Sequence, residues 1–177
     1  MKRNLLIIAA FIGALCFAAC GGDKDSKVMK KADKMYAQAE KTVQGIDNFD
    51  DFFSFIDEFD ATKQEFLEDV IAPAYQVDED SFDVPDEVNS HIYERATAYN
   101  HVEAVKYAEL FEPYISAFEA ALDEFAQAGS LEEKAALRDK VQEALDAAEK
   151  YATYDNVLPE LQEREAALLE KMNSIEY

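Results

Sequence analysis

Tryptophan is absent from this 177-residue chain, and cysteine (2), histidine (2), proline (4) and glycine (5) are all scarce. So little glycine and proline disfavours a turn-rich β-sandwich or barrel, which needs them at many tight reversals. Basic residues are also in short supply. Lys and Arg number 17 against 38 Asp and Glu, a formal charge of −21 with a pI near 4.3. That balance argues against nucleic acid as a partner, because phosphate binding needs clustered lysine and arginine. Hydrophobic residues nevertheless make up 49%, so the chain is core-forming and not a disordered acidic tail. Its length suits one domain with a proper core.

The N-terminus carries a short positive region, Lys2 and Arg3, then Asn4 and a charge-free run from Leu5 to Ala19. Fifteen residues are too few for a comfortable membrane span and suit a signal-peptide core. Phe17-Ala18-Ala19-Cys20 places small residues directly before a cysteine, and Gly21 to Ser26 form a polar tether. This arrangement resembles the lipobox of bacterial lipoproteins, with Phe17 standing where that family prefers leucine. The resemblance covers only the leader and says nothing of the folded part. It implies that residues 1–19 are removed, that Cys20 is acylated with palmitate-type chains, and that residues 20–26 tether a domain spanning 27–177 to the cell envelope. Cys16 is the poorer candidate, since Leu15 sits where a small residue is needed. In the sorting scheme of many Gram-negative lipoproteins, Asp after the lipidated cysteine retains the protein at the inner membrane. Gly21 stands there instead, which points to the outer membrane, on its periplasmic or surface face. The same run also fits an uncleaved anchor or an ordinary secretory leader.

Loss of the leader would leave no free thiol, which excludes disulfides, cysteine nucleophiles and cysteine-ligated metals. It would also remove two basic residues, leaving a charge of −23. Two or three acyl chains anchor firmly by themselves. A body this acidic is expected to be repelled by anionic head groups, with no basic amphipathic face adding to the attachment.

The rest reads as helix after helix. Apolar residues at Val28, Ala32, Met35, Ala39, Val43 and Ile46 trace one helical face, with Ser26 as a possible N-cap and Gly45 ending it. A second helix opens with Asn48 or Asp50 as its cap, carries Phe49, Phe52, Phe55, Phe59 and Phe66, and is expected to stop at Ala72-Pro73. Residues 74–84 read as a loop, and Pro85 fits the first position of a third, long helix reaching Gly129. Pro113 is expected to kink or break it. Ser130 and Glu133 form a capping-box signature. The helix they open buries Leu137, Val141, Leu145, Ala148 and Ala152. Pro159 starts a fifth helix with Leu161, Leu168, Met172 and Ile175. No stretch alternates with period two for long enough to make a strand. The expected fold is all-α, an antiparallel bundle of about five helices.

Few constellations suggest chemistry. Glu87, His91 and Glu94 share one helical face, with His101 two turns further. A His-x-x-Glu pair on a bundle helix suits a metal only when further ligands arrive from other helices; otherwise it is a polar flank. The acidic loop containing Asp78, Asp80 and Asp83 has oxygens for a hard cation such as Ca²⁺, but lacks the glycine and twelfth-position Glu of an EF-hand. It reads equally as a solvated loop leading into a helix dipole. Tyr93, Tyr107, Tyr151 and Tyr154 lie off the main stripes and suit either a partner-binding surface or helix seams with their hydroxyls at the rim. No catalytic set is assembled and nothing calls for a cofactor. The expectation is a non-catalytic, lipid-anchored envelope module that binds a basic macromolecule; the alternative is a metal- or small-ligand-binding bundle, and an enzyme comes last.

Overall fold

The computed structural model describes residues 24–75 and 84–174. Its elements are helices α1 (Lys24–Gln44), α2 (Phe49–Phe66), α3 (Asp86–Gln127), α4 (Leu131–Glu149) and α5 (Pro159–Ser174). The fold is all-α, five helices with no strand among the described residues. No described helix is long and apolar enough to cross a membrane. Contacts cluster into two compact units, one running to Glu103 and the other from Ala104. The boundary falls inside α3, so a continuous helix and not a linker carries the chain from one to the other.

In the first unit, Tyr36 packs edge-on against Phe59 and the Tyr75 hydroxyl bonds Asp25, so α1 and α2 run antiparallel. Asp33 meets His91 and Glu40 meets Arg95, which sets α1 parallel to the start of α3. The core lies between them: Tyr36, Phe52, Phe55, Phe59, Val88 and Tyr99 are all buried. Asn48 caps α2 by accepting the Asp51 N–H at 2.9 Å, the geometry expected of an Asn N-cap. Helix α1 is already helical at Lys24, so Ser26 lies within it and does not cap it.

At Ala72-Pro73 the structure corrects the sequence reading. Helix α2 does not stop there; it passes through a π-helical turn, Leu67–Ile71, into one further α-turn, Ala72–Tyr75. The Ala72 N–H reaches back to Leu67 O, one residue further than in an α-helix. That wider turn makes room for the Pro73 ring, which an α-helix would drive into the carbonyl one turn back. The extension carries Tyr75 to Asp25, a 2.8 Å hydrogen bond, with the Lys24 ammonium 4.5 Å from the ring centre.

In the second unit, Lys140 pairs with Glu124, setting α4 antiparallel to α3, and Arg164 and Lys171 pair with Glu119 and Asp123, setting α5 parallel to it. Phe111, Ile115, Phe118, Leu122 and Phe125 form the buried stripe of α3. The helix does not break at Pro113, which lies inside it. The missing proline N–H forfeits one hydrogen bond while buried residues on either side hold the helix in register. The capping box is complete: Ser130 Oγ accepts the Glu133 N–H and Glu133 Oε2 accepts the Ser130 N–H.

Candidate functional site

Helix α3 carries both histidines and two of the tyrosine candidates, Tyr93 and Tyr107; Tyr151 and Tyr154 lie in the turn after α4. His91 lies on the seam with α1, where its Nε2 is 2.9 Å from Asp33 Oδ1. One turn on, Arg95 Nη2 donates to Glu40 Oε1 at 3.0 Å and its Nε lies 3.5 Å from Asp33. The His91 face is therefore an interhelical hydrogen-bonding and ion-pair seam. Glu87 and Glu94 are exposed beside it and bring no further ligand from another helix. Among the described residues no three His, Cys, Asp or Glu side chains gather as a metal site would require. Asp78, Asp80 and Asp83, and likewise Cys20, lie outside the described residues.

For three of the four tyrosines the contacts match the seam reading. Tyr107 is a core residue, 1% exposed, whose hydroxyl donates to Tyr151 O at 2.8 Å. Tyr154 lies over it at 4.7 Å between ring centres, and Tyr151 meets Tyr114 edge-on at 5.0 Å. These rings clamp the turn that follows α4, with Tyr107 buried and Tyr114, Tyr151 and Tyr154 half-buried. Burial pushes Tyr107 up to about 12, with the nearby Glu165 carboxylate adding to the effect. Its hydroxyl is thus a permanent donor at physiological pH. Burial also raises Glu165.

Tyr93 stands apart. It is 73% exposed, and every other described Phe or Tyr is buried or half-buried. Ser90, Thr97 and His101, all exposed, share its face of α3 within an arc of about 80° at 100° per residue.

Sequence reading missed two features. In the second unit Arg164 gathers acceptors: Nη1 donates to both Glu112 oxygens at 2.9 Å, Nη2 to Glu119 at 2.7 Å and to Ser116 Oγ at 3.1 Å. The Ser116 and Arg164 hydrogen bonds hold the Glu112 carboxyl below its usual range. Only the spacing of Glu112 and Glu119 on one face hinted at it. The other omission is larger. Lys24, Lys27, Lys30, Lys34 and Lys41 are exposed and Lys31 half-exposed on α1, so the body does carry a basic amphipathic face. The signal was the lysine spacing itself, hidden by averaging charge over the whole chain.

No family model, curated protein or solved structure matches the chain. What the residues can do must therefore be read from their own chemistry.

Proposed function

We propose that this protein is a non-catalytic interaction module of the cell envelope, anchored by acyl chains on Cys20 and binding a basic macromolecule. The observation that carries the reading is Tyr93, the one exposed aromatic ring among the described residues. Aromatic side chains left in water by a chain that otherwise buries its rings are favoured anchors for a partner, since they deliver large area at small entropy cost. Acidic side chains dominate the exposed surface of the neighbouring α2 and the π-turn after it, at Asp50, Asp57, Asp60, Glu65 and Glu68, which complements a basic partner and steers its approach. The lipobox-like Phe17 to Cys20 supports the anchor, and Gly21 after it supports an outer-membrane address.

Cross-linking in intact envelopes tests the binding half. One envelope protein is expected to be recovered, released above about 0.5 M salt as screening shortens electrostatic reach, and lost with Tyr93→Ser, a hot-spot truncation of about 2 kcal/mol. Recovery of no partner, together with a tightly held metal or small molecule in native mass spectrometry, would replace this reading with the ligand-binding one. For the anchor, a fatty-acid probe should label the protein and Cys20→Ala should abolish the label; a label that survives overturns it.

A further inference from the structure

We infer that the outer face of α1 is an electrostatic docking surface for anionic phospholipid head groups, lying along the membrane that the proposed anchor reaches. The inference rests on that anchor for its position and on the structure for its chemistry. Of the 17 basic residues in the chain, six are lysines on this one 21-residue helix. Outside it the chain carries 35 acidic residues against 11 basic ones. At 100° per residue the six lysines fall within an arc of about 120° beside the buried stripe of Val28, Ala32, Met35, Ala39 and Val43, the two centres about 120° apart. From Lys24 to Lys41 that face is about 26 Å long.

The arrangement of the helix's acids separates this face from a chance scatter of lysines. Helix α1 has three acidic residues, Asp25, Asp33 and Glu40, and each is engaged by another helical segment. Asp25 accepts from Tyr75, Asp33 meets His91 and Arg95, and Glu40 accepts from Arg95. Asp33 and Glu40 occupy one flank between core and lysines and Asp25 the edge of the core stripe, so none lies within the lysine arc. Among the described residues Lys27, Lys30, Lys31, Lys34 and Lys41 make no ion pair, although the protein abounds in carboxylates. Long lysine side chains held clear of a strongly acidic body are available to an external anion. A phospholipid surface is the occupant that position favours. Lys24 follows Cys20 by four residues, so acyl chains there would hold the face beside head groups at high effective concentration.

Amine footprinting tests this with the full chain purified from membranes and reconstituted into vesicles. In vesicles of phosphatidylcholine with about a third phosphatidylglycerol, labelling of Lys27, Lys30 and Lys34 should slow at least fivefold relative to phosphatidylcholine alone, while Lys140 on α4 is unchanged. Salt at about 0.5 M should remove the protection. In the triple variant Lys27→Gln, Lys30→Gln, Lys34→Gln, protection of Lys31 and Lys41 should disappear, and Lys→Arg at the same three positions should restore it. At about fivefold per lysine, the glutamine variant applied to anionic vesicles should bind about a hundredfold more weakly. Labelling indifferent to vesicle charge overturns the proposal. Protection that persists in phosphatidylcholine and grows with protein concentration assigns the face to the acidic surface of a second copy, which also overturns it. Mass measurement of the Cys20 peptide reports the anchor separately. If Cys20 is unacylated, the charge dependence is read on protein added to preformed vesicles, so failure of the anchor and failure of the face remain distinct.

Discussion

The two units use the same plan, three helices with neighbours antiparallel, but close their cores differently. In the first, α1 buries six residues and α2 five, including Phe52 and Phe59, and rings from three helices meet around Tyr99. In the second, α3 supplies the stripe from Phe111 to Phe125, while α4 and α5 bury two residues each. Leu137 and Leu145, expected in the core of α4, are only half-buried. Polar contacts do more of the holding there: the Tyr107 hydroxyl on Tyr151 O, and Arg164 across Glu112, Ser116 and Glu119. Burying a large apolar side chain contributes about 1.5–3 kcal/mol, and a surface ion pair well under 1 kcal/mol. The lesson is that similar helix arrangements can differ in what resists their opening.

The difference is tested most severely by Phe59→Ala, which removes a ring 4.6 Å from Tyr99 and 5.8 Å from Tyr36. A loss of about 3–5 kcal/mol in urea unfolding is expected, with faster amide exchange along α1 and α2. A loss below about 1 kcal/mol would deny that aromatic packing holds the first unit. Tyr107→Phe probes the second. It should cost about 1 kcal/mol by leaving the Tyr151 carbonyl without its donor, and loosen residues 150–158 in hydrogen exchange before α3 is affected. Smaller still is Arg164→Met, expected at about 0.5–1 kcal/mol and shrinking as salt rises. A loss unchanged by salt would mean that packing of the arginine stem, and not charge, holds α5.

The smallest effect concerns pH. Burial raises Glu165 above its ordinary 4.5, so the folded state holds that proton more tightly than the unfolded chain. Stability should fall as pH rises from the ordinary carboxylate range through the raised value. Glu112, lowered by Ser116 and Arg164, acts in the opposite sense. Its contribution is present above the ordinary range and fades as pH falls through the lowered value. Glu165→Gln should flatten the first trend and raise the neutral-pH melting temperature by a degree or so, with the Glu112 trend intact. An unchanged profile would show that Glu165 is not desolvated in solution.

Much of the fold was legible in order. The stripe Val28, Ala32, Met35, Ala39 and Val43 is buried as its spacing required, and the caps at Asn48 and Ser130 form as their residue types predict. The positions of Pro85 and Pro159 at helix starts followed from the same local logic. The site was far less legible. Tyr93 and Tyr107 are both tyrosines set off the main apolar stripe, yet one is exposed and the other buried beneath a turn reached 44 residues later. The spacing of His91 fitted a ligand pair or a polar flank, and it did not record Asp33, on another helix, as the partner of its nitrogen.

The sequence alone determined the starts of α2 and α4 and the inward stripe of α1, because capping and 3.6-residue periodicity depend on neighbours within one turn. Tertiary structure decided what those stripes meet. It carried α2 past Pro73 to bring Tyr75 to Asp25, and it kept α3 whole through Pro113. It also drew the three acids of α1 to partners on other helical segments, and so left the lysines by themselves on the outside. Those outcomes depend on pairings between residues far apart in the chain, whose energies no local spacing records.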